Sequence, residues 1–336
     1  METDDPARGL LGRVVGIGAS AGGVDALTRL FGTLDDALPA AVLVVLHVPA
    51  TGRSLLAPIL NRHTALDVRV AEEGEALVPG RVYVAPADRH LVVANDRVRL
   101  ERGPKENAVR PAVDPMLRSL AATYGDQAVA VVLSGALDDG SSGALAVKLA
   151  GGTVIVQDPE DATVPSMPES ALRAVGEPDA VLTADAIGPE LARIAEEAVG
   201  MRQDMPVTSV SEGPALPTPR PPTGYSCPEC QGPLWQIDEG ELVRYRCRVG
   251  HGYSEDSLLI EQGSAVEAAL WSALEALEER AEFLGLVAQR HGDRRPRLRD
   301  RFDGAAADAL ERAELIRRAL GTAGEPPPVL DLQAAE

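Results

Sequence analysis

Aromatic residues make up only 3% of this 336-residue chain. Its cores must therefore be built from Val, Leu, Ile and Ala. Long apolar runs are missing as well: none reaches the ~20 residues that a membrane-spanning helix requires. The first residues, Met1-Glu2-Thr3-Asp4-Asp5, are acidic and carry no apolar signal core. A cytoplasmic chain with no direct membrane insertion is expected. Positive charge is in deficit, with a formal net charge of −19. This argues against non-specific nucleic-acid binding and against docking on an anionic membrane surface. Cysteine is scarce too. Cys227, Cys230 and Cys247 are the only three, and an odd, clustered set is not a disulfide framework. Histidine is limited to five positions, so any imidazole chemistry has few candidates.

What is present is ordinary for a soluble globular protein, at 45% hydrophobic and 25% charged residues, and long enough for two domains. From residue 14 to about 198, strand-like and helix-like stretches alternate. Residues 41–46 and 128–133 are continuously apolar, as buried parallel strands are. Shorter strands are expected at 67–70, 82–85 and 153–156, and a hairpin over 91–100 around Asn95-Asp96. Helices are expected at 54–61, 114–124, 140–149, 168–175 and 189–199. Asp114 is expected as an N-cap, with Pro115 in the first helical position. Repeated βα units imply an α/β fold with a doubly wound, mostly parallel sheet, a Rossmann-like three-layer arrangement.

The chain is organised around Val14-Val15-Gly16-Ile17-Gly18-Ala19-Ser20-Ala21-Gly22-Gly23. A strand runs into a glycine-rich turn, and a helix with Val24, Leu27, Leu30 and Phe31 on one face follows. Gly18-Ala19-Ser20-Ala21-Gly22 has the G-x-S-x-G form of a nucleophile elbow, which would set Ser20 beside a helix N-terminus. A dinucleotide cradle is the competing reading. However, Gly16, Gly18 and Gly22 are spaced one residue too wide for G-x-G-x-x-G, and residues 39–43 offer no acidic ribose ligand.

A nucleophilic serine needs a base and a group that orients it. His47 ends the strand 41–46, so it would lie beside Ser20 at the carboxyl edge of the sheet. His90, after another short strand, competes with it. The strand 128–133 runs into Asp138-Asp139-Gly140, and either aspartate could supply the carboxylate. The order Ser, His, Asp differs from the Ser, Asp, His order of α/β-hydrolases.

Six blocks together resemble one family, the catalytic domain of the chemotaxis protein-glutamate methylesterases, or CheB. They are Gly16-Ile17-Gly18-Ala19-Ser20-Ala21-Gly22-Gly23; Leu46-His47-Val48-Pro49; Tyr83-Val84-Ala85-Pro86-Ala87-Asp88-Arg89-His90; Arg110-Pro111-Ala112-Val113-Asp114; Leu133-Ser134-Gly135 with Asp138-Asp139-Gly140; and Met167-Pro168-Glu169-Ser170-Ala171. The resemblance implies Ser20 as nucleophile, His47 as base and Asp139, the aspartate directly before the glycine, as orienting carboxylate. It implies hydrolysis of γ-glutamyl methyl esters on methylated chemoreceptors, with release of methanol and no cofactor for catalysis. Enzymes it is similar to also deamidate receptor glutamines. Backbone N–H groups near Ala21 and Ala136 would hold the oxyanion. The chain departs from the family pattern in three places. Ala21 stands where a hydroxyl residue is usual, and the turn before the aspartate reads Ala136-Leu137-Asp138. Only about a dozen residues precede the first strand, too few for the phosphorylated receiver domain of the familiar enzyme, so no such control is expected within this chain.

The organisation expected is an N-terminal tail over 1–12, the catalytic domain over 13–200, a Pro-rich linker over 201–224, a zinc-ribbon-like module over 225–254, a helical hairpin over 255–322 and a disordered tail over 323–336. In the module, Cys227-Pro228-Glu229-Cys230 is a C-x-x-C knuckle, with Cys247 and His251 downstream. Three thiolates and one imidazole make a closed, structural Zn²⁺ site rather than a catalytic one. A redox C-x-x-C is the weaker alternative, since no βαβ context surrounds it. Leu259, Val266, Leu270, Leu274, Leu277, Ala281 and Leu284 form an apolar packing stripe on the first C-terminal helix, which breaks at His291-Gly292-Asp293. The module and hairpin are expected to receive regulatory protein partners. A non-catalytic adaptor that keeps the fold is the alternative to an active methylesterase.

Overall fold

In the computed structural model, which describes residues 12–35, 37–48, 55–202, 221–239 and 242–322, the stretch around the elbow forms the centre of a seven-stranded sheet. The tail before residue 12, the bulk of the linker and the tail after 322 lie outside the described residues. The sheet is built from β1 (Arg13–Ala19), β2 (Ala40–Leu46), β3 (Asp67–Val70), β4 (Arg81–Val84), β7 (Ala128–Val132), β8 (Thr153–Gln157) and β9 (Ala180–Leu182). All pairs are parallel, in the order β3-β4-β2-β1-β7-β8-β9. A separate antiparallel hairpin, β5 (His90–Ala94) and β6 (Arg97–Glu101), turns at Asn95 and Asp96, both at positive φ. The chain moves outward from β1 in one direction through β2 and in the other from β7. The gap between β1 and β7 is therefore the switch point at which such sheets form a crevice.

Side chains alternate across the central strands, and each face has its own core. Val15, Ile17, Val42 and Val44 pack under helices α1 (Gly23–Phe31), α2 (Leu56–Leu60) and α6 (Ala184–Arg202). Leu43, Val45, Ala130 and Val132 face α3 (Val113–Tyr124), α4 (Ser141–Leu149) and α5 (Ser166–Val175). Both faces are covered, which explains why these strands read as continuous apolar runs.

On the second face β1 presents Gly16 and Gly18, and α3 lies directly against them. A methyl group at Gly18 would overlap both methyls of Val113, a stiff β-branched residue in the first turn of α3. Gly18→Ala is therefore expected to destabilise the fold by about 1–3 kcal/mol through overpacking, read as a lower denaturant midpoint.

A second sheet, β10-β11-β12-β13, is made of β10 (Pro222–Ser226), β11 (Pro233–Glu239), β12 (Leu242–Cys247) and β13 (Gly252–Ser254). Its first strand starts at Pro222, inside the stretch expected as linker. Its own core is small: Cys227, Leu234, Cys247, Tyr253 and Leu258. It belongs to the same compact unit as the large sheet, residues 1–258. The contact between them is charged and centres on the buried Glu106 and Arg244. Glu106, only 8% exposed, meets Arg118 at 2.5 Å, Arg246 at 2.9 Å and Arg244 at 3.1 Å. Burial pushes the Glu106 carboxyl up, but the three guanidinium groups outweigh it and hold it at about 2. The folded value thus lies below the ordinary 4.5. The resulting stabilisation, about 3 kcal/mol, is present above about pH 4.5 and is lost as pH falls toward 2. Denaturant melts at pH 7, 4 and 2.5 should show this loss, and it should shrink in Glu106→Gln.

The described residues from Leu259 on fall in a second unit. Helix α7 (Glu255–His291), whose first four residues belong to the first unit, turns through a short 3-10 segment into α8 (Pro296–Thr322). The second helix begins at Pro296, which suits the first helical position. His291 stacks on Phe302, and Arg317 pairs with Glu278, so the helices run antiparallel. Ala281, Ala288, Ala309 and Ala313 are buried in the seam, with Leu274. The expected stripe is corrected at its start: Leu259 and Val266 are exposed. With Arg317 paired to Glu278, the described part of α8 reaches back only a few residues beyond Glu278, short of both.

Candidate functional site

Ser20 stands at the carboxyl end of β1, one turn before α1. Gly22, at φ 73°, occupies the left-handed conformation that the elbow needs. The elbow is tied to the neighbouring β7 end. The Ser20 amide donates to the Ser134 carbonyl at 2.9 Å. The Ser134 hydroxyl donates to the Ala21 carbonyl at 2.8 Å and accepts from the Val164 amide at 3.0 Å. The Ser134 amide in turn donates to Gln157 Oε1 at 2.8 Å.

His47 follows β2, and its amide continues the ladder to the Ala19 carbonyl at 3.2 Å. This register carries its imidazole to the elbow: Nδ1 lies 3.0 Å from Ser20 Oγ. On the other side of the ring, Nε2 lies 2.7 Å from Asp139 Oδ2. Of the two aspartates after β7, it is Asp139 that turns toward His47. Asp138 turns away and accepts from Ser254 Oγ at 2.8 Å. The competing His90 is buried, with Nε2 against the Pro104 carbonyl at 2.9 Å and Nδ1 accepting from the Ala112 amide at 3.2 Å. Both its nitrogens serve the local chain fold.

Asp139 is 1% exposed, and its carboxylate is fully engaged. Oδ2 accepts from the Val113 amide at 2.6 Å, and Oδ1 accepts from the Asp114 amide at 3.1 Å and Asn107 Nδ2 at 3.2 Å. Burial pushes this carboxyl up, but the His47 hydrogen bond and charge and the two amides win and hold it well below the usual range. Asp139 therefore caps α3. This corrects the expectation for Asp114: α3 begins at Val113 with Ala112 as its N-cap. Asp114 instead caps the next helix, α4, accepting from the Gly140 and Gly143 amides at 3.0 and 2.7 Å. The two aspartates thus hold each other's helices.

Sequence reasoning gave no role to Ser134, Gln157 or Asn107, and it misplaced Asp114. Ser134 and Asp114 lie inside recognisable blocks, whereas Asn107 carries no local signature. Arg244 was missed for a different reason. It sits between Val243 and Tyr245 in an alternating strand, where an arginine ordinarily marks the solvent side.

The four residues expected to hold a metal come together. Their ligand atoms all lie within 4.8 Å of one another. Cys230 Sγ is 3.6 Å from Cys247 Sγ, and His251 Nδ1 is 3.6 and 3.5 Å from Cys227 Sγ and Cys247 Sγ. Zinc bond lengths of ~2.0–2.3 Å in a tetrahedron put ligand atoms ~3.5–3.8 Å apart, so the set fits. His251 Nε2 meets Glu229 Oε2 at 2.8 Å, the carboxylate partner that usually orients a metal-bound imidazole.

The span that carries this site is similar to known proteins. Residues 15–191 match the family described as CheB methylesterase. A protein-glutamate methylesterase/protein-glutamine glutaminase of Paramagnetospirillum magneticum is 42% identical over 187 residues, covering 54% of this chain and 49% of that protein. One from Anaeromyxobacter dehalogenans is 44% identical over 183 residues, covering 54% of this chain and 53% of that protein. The chain thus spans about half the length of these relatives. The crystal structure of the Thermotoga maritima CheB methylesterase catalytic domain superposes with a TM-score of 0.52 at 40% identity, covering 55% of this chain and 98% of that one. The elbow serine, the imidazole and the buried carboxylate all lie within the matched span, and the chain belongs to the CheB methylesterase family.

Proposed function

We propose that this chain hydrolyses γ-glutamyl methyl esters on chemoreceptor-like signalling proteins, with Ser20 as nucleophile, His47 as base and Asp139 as the carboxylate that orients it. The observation that carries this reading is the unbroken line Ser20 Oγ, His47 Nδ1, His47 Nε2, Asp139 Oδ2, with links of 3.0 and 2.7 Å. Both links are within proton-transfer reach. Ser20 Oγ attacks the ester carbonyl as its proton passes to Nδ1. His47 then protonates the departing methoxide, and water releases the acyl-enzyme by the same route. Backbone amides at Ala21, two residues before α1, and at Ala136 would face the oxyanion, where one such donor is worth about 3–4 kcal/mol. The relatives' names include glutaminase, and a primary amide would follow the same path with ammonia leaving. None of these steps calls for a metal or an organic cofactor.

Cys227, Cys230, Cys247 and His251 hold a structural Zn²⁺ in this reading, supported by their spacing and by Glu229 behind His251. Thiols arranged for a metal suit a reducing compartment, which favours the cytoplasm. Among the described residues no helix is long and apolar enough to cross a membrane. Regulatory proteins would bind through the C-terminal helices, where Trp271, Phe283 and Leu310 are exposed; a binding titration with and without residues 259–336 tests this.

The deciding experiment is release of labelled methanol from a carboxyl-methylated receptor fragment. Release that depends on Ser20 is expected. Release no faster than in Ser20→Ala would overturn the hydrolase reading in favour of an adaptor.

A further inference from the structure

The small sheet that carries the cysteines reaches under the carboxylate of the proposed triad. Arg244 on β12 is only 6% exposed, and its guanidinium enters the large-sheet fold. Nη1 donates to Asp114 Oδ2 at 2.9 Å and Nη2 to Glu106 Oε2 at 3.1 Å. Asp114 is the residue that caps α4, the helix opening two residues after Asp139. Its amide also donates to Asp139. Burial pushes the Asp114 carboxyl up; Arg244 is the main group opposing this, and the charge of Asp139 works against it.

A second line runs through Asn107. Its side-chain amide donates to Asp139 Oδ1 at 3.2 Å, while its Oδ1 accepts from the Ser254 amide on β13 at 3.3 Å. The Asn107 amide donates to the Gly252 carbonyl at 2.8 Å. β13 therefore fixes the backbone and the rotamer of a residue that touches Asp139.

Both lines start at the Cys/His cluster. Cys247 closes β12 three residues after Arg244, and His251 immediately precedes β13. Arg244 pairs with Ser254 across these two strands. Glu229 joins the cluster to the large-sheet fold directly, accepting from Lys105 Nζ at 2.6 Å while it holds His251. The module's core, five buried residues, is too small to keep this geometry unaided. In sites of this kind the metal's binding energy is folding energy.

We propose that the Cys227, Cys230, Cys247 and His251 centre is a metal-dependent clamp, which holds Arg244 and Asn107 in place as positioning residues for Asp139. The inference rests on the reading of Asp139 as the triad carboxylate. Arg244 touches neither substrate nor reacting atoms. It neutralises the carboxylate pair behind Asp139, so that α3 and α4 keep the two N-termini that aim Asp139 at His47. Loss of metal frees β12 and β13, and the buried Asp114 and Glu106 lose Arg244 together.

The test uses the full chain loaded with zinc, the same chain stripped by a chelator and then reloaded, and Arg244→Met. Three quantities are measured: zinc content, amide hydrogen exchange over residues 107–114 and 138–143, and kcat and KM on a small activated ester. The metal-loaded chain should bind one zinc and protect both segments. Stripping should raise exchange there at least about tenfold and lower kcat by about 10–100-fold, the usual cost of losing a group behind a ligand or base. KM for the small ester should stay within about twofold, and reloading should reverse every change. Arg244→Met should retain its zinc yet show the same exchange and the same kcat loss. Stripping and reloading need no variant to fold, so they carry the test alone if Arg244→Met is insoluble. Absence of stoichiometric zinc, or unchanged exchange on stripping, overturns the clamp. So does a loss confined to KM. Labelling by a fluorophosphonate separates the two readings: a loaded chain whose Ser20 stays unlabelled defeats the hydrolase reading, whereas the exchange data report on the clamp regardless.

Discussion

Ser20→Ala is expected to lower methyl-ester hydrolysis by about 10⁶-fold, to the level that binding and oxyanion contacts alone support. The cost in stability should be small. Ser20 is partly exposed at the elbow, and alanine removes only the 3.0 Å link to His47. The elbow itself is held by the backbone, through the Ser20 amide on the Ser134 carbonyl and the Ser134 hydroxyl on the Ala21 carbonyl. Thermal melting should therefore move by no more than a few degrees, the shift that about 1 kcal/mol produces. Adding His47→Ala to Ser20→Ala should cost almost nothing further, because the two side chains act on one proton. Parallel assays of methanol release and melting check both halves. A variant that keeps a tenth of the wild-type rate would rule out Ser20 as the nucleophile.

Much of this arrangement is legible before folding is considered, because it depends on strand ends. Continuous apolar runs such as 41–46 and 128–133, alternating with helix-like stretches, read as strands of a parallel sheet covered on both faces. In such a sheet whatever follows each strand collects at one edge. Ser20, His47 and Asp139 each follow a central strand, and β2, β1 and β7 are neighbours. The cysteine spacing is legible for a similar reason, since a tetrahedral ion needs two short loops. What could not be read is which side chain crosses from one element to another. Asp114 precedes Pro115 at a helix start, and local rules make it that helix's cap. In the fold Asp139 already occupies the free amides of α3, and Asp114 is displaced to α4. Arg244 pairs with residues 130 and 138 positions earlier in the chain, and no local pattern encodes that distance.

Asp139→Asn tests how tightly the carboxylate is committed. Four donors converge on it: His47 and the Val113 amide at Oδ2, and the Asp114 amide and Asn107 at Oδ1. A carboxylate accepts on both oxygens, whereas an amide accepts on one and donates from the other. If the new NH₂ takes the Oδ2 position, it confronts the Val113 amide, and His47 must accept on Nε2. The imidazole proton then sits on Nδ1 and points at Ser20, so the base can no longer take the serine proton. If the NH₂ takes the Oδ1 position, it faces the Asp114 amide and leaves that buried donor unpaired. An unsatisfied buried donor costs about 1–3 kcal/mol in either pose. The neutral side chain also loses the charge that stabilises a protonated His47, which the depressed Asp139 carboxyl otherwise supplies. The expected result is a fall in kcat of about 10⁴-fold, with a stability loss of a few kcal/mol that Ser20→Ala does not show. Part of the rate should return at high pH, where hydroxide can replace the missing base. A loss of stability without a loss of kcat would mean that Asp139 serves only as the cap of α3.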